Sequence, residues 1–266
     1  MVSSQTALIT GGSSGIGLEY SRQLADMGYS LILVSNREEE LREAAAVLPG
    51  NVGTICLDLS RHGAAEELAR WCDARSLVPD VLICNAGMFF MEYLADGNLP
   101  KAQAMMTLHM EVTTELCVLI GTKMKERGSG RILIMSSMAA RIPAPGIAIY
   151  SASKAYLKSF GRSFSYEMRP FGVSVTTVCP AAVDTPLYPL PPKFRKAGRR
   201  IGLIRSPQWL ARRALRAMMR GRRTVSPGLM NIIAPPLIRC LPSKVVEWLG
   251  LKWVYRPPAK RQNLDT

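Results

Sequence analysis

Short apolar runs alternate with longer amphipathic segments from the start of the chain to residue 179. Each run is bounded by turn-forming residues and predicts a buried strand, while each segment has the apolar spacing of a helix. The predicted strands span residues 7–10, 30–35, 52–57, 80–84, 131–135 and 173–179. The predicted helices span residues 18–27, 38–48, 64–74, 101–127 and 150–168. This alternation predicts an α/β fold, in which one parallel sheet is covered by helices on both faces.

The remaining part of the chain, residues 187–266, departs from this alternation. Basic helices are predicted at 209–220 and 243–254, and a short strand at 224–226. Prolines cluster within 186–192, at 235–236 and at 257–258, where they are expected to interrupt helices. Residues 228–266 are therefore predicted to be a basic extension that contains proline and tryptophan.

The composition predicts one globular domain over residues 1–266. Hydrophobic residues make up 48% of the chain, which is enough for a core and too much for a disordered protein. No cysteine pair has the spacing of a metal or redox site, so no metal is expected. Cys56, Cys84 and Cys179 lie in apolar runs and are expected to be buried free thiols, which favours the cytoplasm. Neither a signal peptide nor an apolar run of about 20 residues is recognised.

Charge is distributed very unevenly along the chain. The net charge is +14, but residues 187–266 contain 18 Lys and Arg against two acids, and the rest of the chain is slightly acidic. Such an asymmetry indicates a negatively charged partner. Lipid headgroups, an acidic carrier or cofactor, and nucleic acid are the candidates.

Four motifs follow one another in the apolar part of the chain. They are the glycine-rich turn 10–17, the triplet 85–87, Ser137, and the pair Tyr150 and Lys154. Taken alone, the glycine-rich turn could belong to any strand-to-helix connection. Taken alone, Tyr150 and Lys154 could be two neighbours on a surface helix. In this order they resemble the short-chain dehydrogenase/reductase family over residues 5–186. The resemblance implies a single doubly wound, Rossmann-like sheet, a nicotinamide dinucleotide, and hydride transfer between a ketone and a secondary alcohol.

The glycine-rich turn is expected to bind the cofactor. Glycines let the backbone approach a pyrophosphate, and the N-terminus of the following helix supplies N–H donors. Asp58 would contact the adenine, although an acid near a helix N-terminus is an equally ordinary explanation. The cofactor contacts that the resemblance implies are Gly11, Ser13, Ser14, Gly15, Ile16, Gly17, Asn36, Arg37, Asp58, Leu59, Asn85, Ala86, Gly87, Tyr150, Lys154, Pro180, Val183 and Thr185.

The end of the second strand decides between the two nicotinamide cofactors. Enzymes that use NAD place a carboxylate there, and enzymes that use NADP place a cation. Here Ser35 and Asn36 carry no acid and Arg37 follows them, so NADP(H) is predicted, with NAD(H) as the alternative. The ordinary explanation of Arg37 is an exposed side chain that pairs with Glu40, three residues further along a helix.

Tyr150 and Lys154 are four residues apart and share one face of a helix. A free tyrosine has a pKa of about 10, and a neighbouring ammonium favours the phenolate. The resemblance implies that Tyr150 gives a proton to the carbonyl oxygen, that Ser137 hydrogen-bonds the same oxygen, and that Lys154 holds the nicotinamide ribose. His109 stands where the family has a catalytic asparagine that carries a proton-relay water. It either replaces that asparagine or is a buried structural histidine.

Pro180, Val183 and Thr185 match the family motif after the sixth strand, with Ala181 in place of a glycine. Val183 and Thr185 would meet the nicotinamide carboxamide. The family inserts a substrate lid next, here at residues 187–205, whose apolar members are Leu187, Tyr188, Leu190 and Phe194. They suggest a lipophilic or acyl substrate: a 3-oxoacyl thioester, a ketosphingoid base or a steroid.

Two other classes of function are open. A catalytically weak, NADP-binding regulatory module is disfavoured by the complete set of Ser137, Tyr150 and Lys154. A nucleic-acid binder is disfavoured because aromatic residues are sparse in the basic extension. We therefore expect no nucleic acid, a homo-oligomer (dimer or tetramer), and a basic extension that either contacts an anionic membrane peripherally or packs on the protein.

Overall fold

Seven parallel strands form one sheet at the centre of the molecule, whose computed structural model describes residues 5–187, 192–200 and 202–249. The spatial order is β3-β2-β1-β4-β5-β6-β7. The strands are β1 (Thr6–Thr10), β2 (Ser30–Ser35), β3 (Val52–Cys56), β4 (Val81–Cys84), β5 (Gly130–Met135), β6 (Val173–Val178) and β7 (Thr224–Val225). The predicted doubly wound α/β fold is confirmed.

Helices connect the strands and continue beyond the sheet. They are α1 (Gly15–Asp26), α2 (Glu38–Val47), α3 (Ala64–Asp73), α4 (Leu99–Met106), α5 (Val112–Arg127), α6 (Ala148–Met168), α7 (Pro192–Arg200), α8 (Pro207–Met219), α9 (Met230–Arg239) and α10 (Ser243–Leu249). The predicted helix over 209–220 is present as α8, and the one over 243–254 begins as predicted. Beyond Leu249 its residues, including Leu251 and Trp253, lie outside the described part of the chain.

Alternate residues of each strand supply two separate cores, one on either face of the sheet. In β1, Leu8 packs with residues of α3, α5 and α6, whereas Ala7 and Ile9 pack with residues of α1, α2 and α8. Because both faces are buried, a central strand such as β4 is apolar throughout, and such strands appear in the sequence as continuous apolar runs.

The edge strand β3 departs from this pattern. Its residues are intermediate or exposed, and Cys56 is exposed, so the prediction that this thiol is buried is wrong. An edge strand has a neighbour on one side only, and fewer elements cover it. Cys84 and Cys179 are buried free thiols as predicted.

The predicted helix over 101–127 is one helical rod, but it contains a π-helical turn. This turn, Thr107–Glu111, joins α4 to α5. By length and composition the stretch Leu99–Arg127 could cross a membrane, yet Met105, Leu116 and Ile120 are fully buried in the protein. It is a core helix, and its π-turn contains His109, which is fully buried.

The prediction that prolines break the helices of the extension is wrong for Pro235 and Pro236, which lie inside α9. A proline at 235 cannot donate an N–H to the carbonyl of Asn231, four residues earlier. That carbonyl instead accepts a hydrogen bond from Nη1 of Arg141 at 3.1 Å. A side chain ninety residues away thus replaces the missing donor, and α9 packs on the short 3₁₀ turn Met138–Arg141.

Candidate functional site

A cleft of about 450 Å³ opens at the carboxyl ends of the strands. Its walls come from the segments that follow β1, β2, β3, β4, β5 and β6. From β1 the chain adds β2 and β3 toward one edge of the sheet. It then returns to place β4 beside β1 and adds β5, β6 and β7 toward the other edge. The strand order therefore reverses between β1 and β4, which is the switch point of the topology. Ligands of open α/β sheets bind at such a point.

The glycine-rich turn forms the floor of this cleft. Gly15 has a φ of +56°, a conformation that favours glycine, and a Cβ added there would lie 3.7 Å from Cγ2 of Thr185. Gly17 does not line the cleft: a Cβ there would lie 1.8 Å from the carbonyl oxygen of Gly11, so this glycine lets α1 pack on the turn. Nδ2 of Asn85 donates to the carbonyls of Thr10 and Gly11 at 3.1 and 3.2 Å and ties β4 to the turn.

The N-terminus of α1 is left open toward the cleft. Ser14 is the N-cap residue, but its side chain does not accept from the backbone N–H groups of α1. Its Oγ accepts instead from Nη2 of Arg37 at 2.9 Å. Uncapped N–H groups and the positive end of the helix dipole form an anion site, which suits a pyrophosphate.

A polar cluster surrounds Arg37 at the end of β2. Arg37 forms an ion pair with Glu40, as the ordinary explanation predicts, while it also lines the cleft. Oγ of Ser13 is buried and lies 3.0 Å from Oγ of Ser35 and 3.3 Å from Oε2 of Glu40. The cluster therefore brings hydroxyls, one cation and one acid to the position that distinguishes the two cofactors.

Asp58 lies in the cleft wall next to Leu59. Its Oδ1 accepts from the backbone N–H and the hydroxyl of Ser60, at 2.9 and 2.7 Å. The next helix begins only at Ala64, with Gly63 as its N-cap, so Asp58 does not cap it. The carboxylate is oriented by Ser60 at the cleft wall, and its contact with an adenine stays a prediction.

Ser137 follows β5 and begins the 3₁₀ turn. Its Oγ accepts the backbone N–H of Ala139 at 3.1 Å, which fixes the side chain, and the residue is 7% exposed. Because that bond uses a lone pair, the hydroxyl hydrogen can be donated to an oxygen in the cleft. The preceding residue, Ser136, donates to the carbonyl of Lys154 at 2.7 Å and joins β5 to α6.

Tyr150 and Lys154 lie on the face of α6 that meets β5. Nζ of Lys154 is 5.7 Å from the centre of the Tyr150 ring and donates to the carbonyl of Met135 at 3.0 Å. Burial lowers the pKa of Lys154 to about 7, so this ammonium loses its proton easily near neutrality. The Phe89 ring packs edge-on against Tyr150, with centres 4.9 Å apart.

His109 is fully buried, and both of its ring nitrogens have partners. Nε2 accepts the N–H of Met88 at 3.1 Å, so Nδ1 carries the proton and faces Oγ of Ser153 at 2.9 Å. Burial, and then the charge of Lys154, hold the pKa of His109 well below its usual value. His109 is thus a neutral brace between the segment after β4 and α6. It does not line the cleft, and its catalytic role stays a prediction.

The segment after β6 closes the cleft from the other side. Val183 and Thr185 are buried in its wall, and Oγ1 of Thr185 has no hydrogen-bond partner among the described residues. A buried hydroxyl without a partner, in a residue of the cleft wall, suits a ligand with a carboxamide, so the residues present fit a nicotinamide dinucleotide. Asp184 pairs with Arg195 and Arg199 at 3.4 and 2.7 Å, and thereby holds α7 beside this segment.

The structure brings the sequence-predicted residues together in one place. Apart from Gly17 and His109, every predicted catalytic or cofactor residue lines the cleft. Of the predicted lid residues, Leu187 lines the cleft, Tyr188 and Leu190 lie outside the described residues, and the side chain of Phe194 is not described.

Sequence reasoning missed three supporting residues: Ser136, Ser153 and the cleft-lining role of Glu40. Each lies next to a predicted residue or one helical turn from it. The sequence contains no motif that would separate these three residues from ordinary neighbours. Within 5–187, 192–200 and 202–249, no group of three His, Cys, Asp or Glu side chains could hold a metal ion.

Comparison with known proteins agrees with this geometry. Residues 5–190 match the profile of the short chain dehydrogenase family. An oxidoreductase of Staphylococcus saprophyticus is 28% identical over 187 residues, which cover 69% of this chain and 80% of that protein. The very-long-chain 3-oxoacyl-CoA reductase of Phaeosphaeria nodorum is 30% identical over 210 residues, 72% of this chain and 61% of that protein. The 17-beta-hydroxysteroid dehydrogenase type 3 of Mus musculus is 28% identical, with 69% and 61% covered.

Solved structures show the same fold. A short-chain dehydrogenase from Sphingobium yanoikuyae in complex with NADPH superposes with a TM-score of 0.74 at 26% identity, covering 90% of this chain and 96% of that one. A short-chain dehydrogenase from Streptomyces avermitilis gives 0.74 at 25% identity, with 87% and 90% covered.

Proposed function

This chain belongs to the short-chain dehydrogenase family and is an oxidoreductase, and from that premise we propose that it uses NADP(H) to interconvert a lipophilic ketone and its secondary alcohol. The observation that carries the proposal is the convergence of Ser137, Tyr150 and Lys154 on one wall of the cleft. The complete set, together with the low pKa of Lys154, favours a working enzyme over a regulatory module.

When bound, the cofactor gives hydride to the carbonyl carbon or takes it from the alcohol. The residues of the chain handle the oxygen and its proton. Tyr150 donates its hydroxyl proton to the carbonyl oxygen during reduction, while Ser137 stabilises the developing negative charge by a hydrogen bond. Lys154, held by the carbonyl of Met135, favours the phenolate that Tyr150 becomes whenever the lysine carries its proton. In oxidation the same groups act in reverse.

The preference for NADP(H) rests on the cluster at the end of β2. Positions 35 and 36 carry Ser and Asn rather than an acid. Arg37 offers a cation to a 2′-phosphate, and Ser14 offers a hydroxyl. Glu40 opposes this preference because its carboxylate already pairs with Arg37. NAD(H) is therefore the competing cofactor.

A lipophilic or acyl substrate is supported by the apolar lining of the cleft. Met88 and Leu187 line it, and Phe89 packs against Tyr150. The relatives whose names mention a hydroxysteroid and a 3-oxoacyl-CoA indicate the candidate classes, to which we add ketosphingoid bases. Free thiols fit a cytoplasmic location. Exposed apolar side chains on α5 and α6, Val118, Tyr156 and Tyr166, fit a homo-oligomer.

The test is NADPH oxidation by the purified protein with a panel of a steroid ketone, a 3-oxoacyl thioester and a 3-ketosphingoid base. Tyr150→Phe should lower turnover by ~10²- to 10⁴-fold while NADPH binding is kept, because only the proton donor is removed. The matched control is Tyr156→Phe, which removes an exposed hydroxyl from the same helix. Full activity of Tyr150→Phe, or no oxidation of NADPH with any of the three ketones, would overturn the proposal.

A further inference from the structure

The helix α9 turns large apolar side chains to the outside as well as packing on the protein. Its inner face, with Asn231, Ala234 and Pro235, is buried against the protein. Its outer face exposes large apolar side chains, and Val245 and Trp248 of α10 are exposed after it. We call this set the α9 patch: Leu229 (65% exposed), Ile232 (68%), Ile233 (47%), Leu237 (62%), Val245 (37%) and Trp248 (54%).

Single exposed apolar residues are ordinary, but several large ones on and beside one helix mark a contact surface. Residues 228–238 contain no charged side chain. A surface helix of a soluble protein normally turns a polar face to water. The outer face of α9 therefore has the composition of a buried face, and it requires an occupant that is itself apolar.

Cations lie beside this patch. The guanidinium groups of Arg205 and Arg213 lie 5.1 and 5.5 Å from the ring centre of Trp209, whose indole lies close to Gly228 at the start of α9. Lys244 of α10 is exposed at the other end. Residues 202–249 contain nine Lys and Arg and one acid, Glu247.

We propose that the α9 patch docks on the surface of an anionic lipid bilayer, with Leu229, Ile232, Ile233, Leu237 and Trp248 in the interface and Arg213 and Lys244 on the headgroups. A helix with apolar anchors flanked by cations lies in the plane of a membrane interface, where tryptophan is favoured. A second copy of the chain is a poorer occupant, because two α9 patches face to face would bring like charges together.

The position of the patch gives docking a consequence for the site. Arg141 bonds the carbonyl of Asn231 in α9, and it ends the 3₁₀ turn that Ser137 begins. The docked surface is therefore attached to the turn that carries a catalytic side chain. This consequence rests on the proposed function, since it makes the bilayer the source of a lipophilic substrate.

The test is sedimentation of the full chain with vesicles of phosphatidylcholine, with and without phosphatidylglycerol. Wild type should pellet with the anionic vesicles and be released by salt, because the Debye length shortens. Ile232→Ser with Leu237→Ser should lower the partition coefficient about tenfold or more. Arg213→Gln and Lys244→Gln should each lower it about fivefold.

Matched controls change exposed residues that are distant in sequence from the α9 patch. The double variant Met27→Ser with Val47→Ser replaces two comparably exposed apolar residues, and Arg42→Gln removes an exposed cation. Neither control should change vesicle binding. A melting curve for each variant checks folding. Vesicle binding needs no turnover, so its result is independent of the oxidoreductase proposal.

Three outcomes overturn the docking proposal. The first is wild-type protein that stays in the supernatant with anionic vesicles. The second is equal loss of binding in the control variants. The third is a wild-type oligomer that does not bind vesicles and dissociates in Ile232→Ser with Leu237→Ser, which would make the α9 patch a contact between subunits.

Discussion

At the scale of single residues, Arg37 is held between two partners with opposite effects on cofactor choice. Its hydrogen bond to Ser14 places the guanidinium in the cleft, whereas its ion pair with Glu40 neutralises part of its charge. A 2′-phosphate would compete with Glu40 for the same donors. The proposed preference for NADP(H) therefore depends on the balance between one acid and one phosphate.

Arg37→Ala should weaken NADPH binding about tenfold and leave NADH binding nearly unchanged, because a charge-assisted hydrogen bond to the phosphate is lost. Glu40→Gln should strengthen NADPH binding, since it frees the guanidinium. Titration of both cofactors by fluorescence measures the two affinities. Arg42→Ala is the control, because Arg42 makes an equivalent ion pair with Glu39 on the same helix. Equal responses of NADPH and NADH to Arg37→Ala would contradict this assignment.

At the scale of elements, α9 depends on a distant side chain. Arg141 donates to the carbonyl that Pro235 leaves without a partner, and its other terminal nitrogen bonds Oγ of Ser226. Asn231 adds a bond from Nδ2 to the carbonyl of Pro227 at 2.7 Å. The helix is therefore joined to the 3₁₀ turn by specific polar contacts as well as by packing.

Arg141→Ala should raise amide hydrogen exchange in residues 228–240 and leave β5 unchanged, because the bond that secures α9 is removed. Arg141→Ala with Pro235→Ala should recover part of the protection, since residue 235 then donates its own N–H to Asn231. Arg75→Ala is the control, because Arg75 also bonds a backbone carbonyl, that of Trp71, on an exposed surface. Exchange by mass spectrometry reports all three. Unchanged exchange in α9, or a double variant no better than the single one, would contradict the role given to Arg141.

The elements also show how far the sequence predicts this fold. Strands buried on both faces, such as β1 and β4, give continuous apolar runs, and they are predictable because a parallel sheet needs them. The π-turn at His109 has no periodic signal, since one extra residue in a helix leaves the apolar pattern nearly intact. The helix α9 is not predictable from local sequence, because the N–H that Pro235 lacks is replaced by a donor of the distant Arg141. In the site, Ser137, Tyr150 and Lys154 are found by spacing, whereas the Ser13, Ser35 and Glu40 contacts arise only from folding.

At the scale of the whole molecule, burial of one base makes stability depend on pH. The pKa of Lys154 is lowered to about 7 in the folded chain, against about 10.4 for an unfolded lysine. Between these values the unfolded chain binds more protons than the folded chain. The free energy of unfolding therefore rises with pH across this window, by at most about 1.4 kcal/mol per unit from this group.

Lys154→Met should remove this rise. Between about pH 7 and pH 9, the free energy of unfolding should rise by about 2 kcal/mol less in the variant than in wild type, as measured by urea unfolding. The raised pKa values of the buried thiols of Cys72 and Cys117 act in the opposite direction, but they are common to both proteins. Lys158→Met, at a partly exposed position of α6, should keep the wild-type slope. A wild-type slope in Lys154→Met would mean that the lysine is not desolvated in solution.

The bond from Arg141 to α9 has a further consequence that follows from reciprocity. If a molecule bound in the cleft shifts the turn that carries Ser137, it shifts the position of α9 through Arg141. A cleft ligand that changes the affinity of α9 for its own ligand by some factor must then have its affinity for the cleft changed by the same factor when α9 is occupied. Arg141 is the residue through which these two equilibria are joined, so its removal should make each independent of the other.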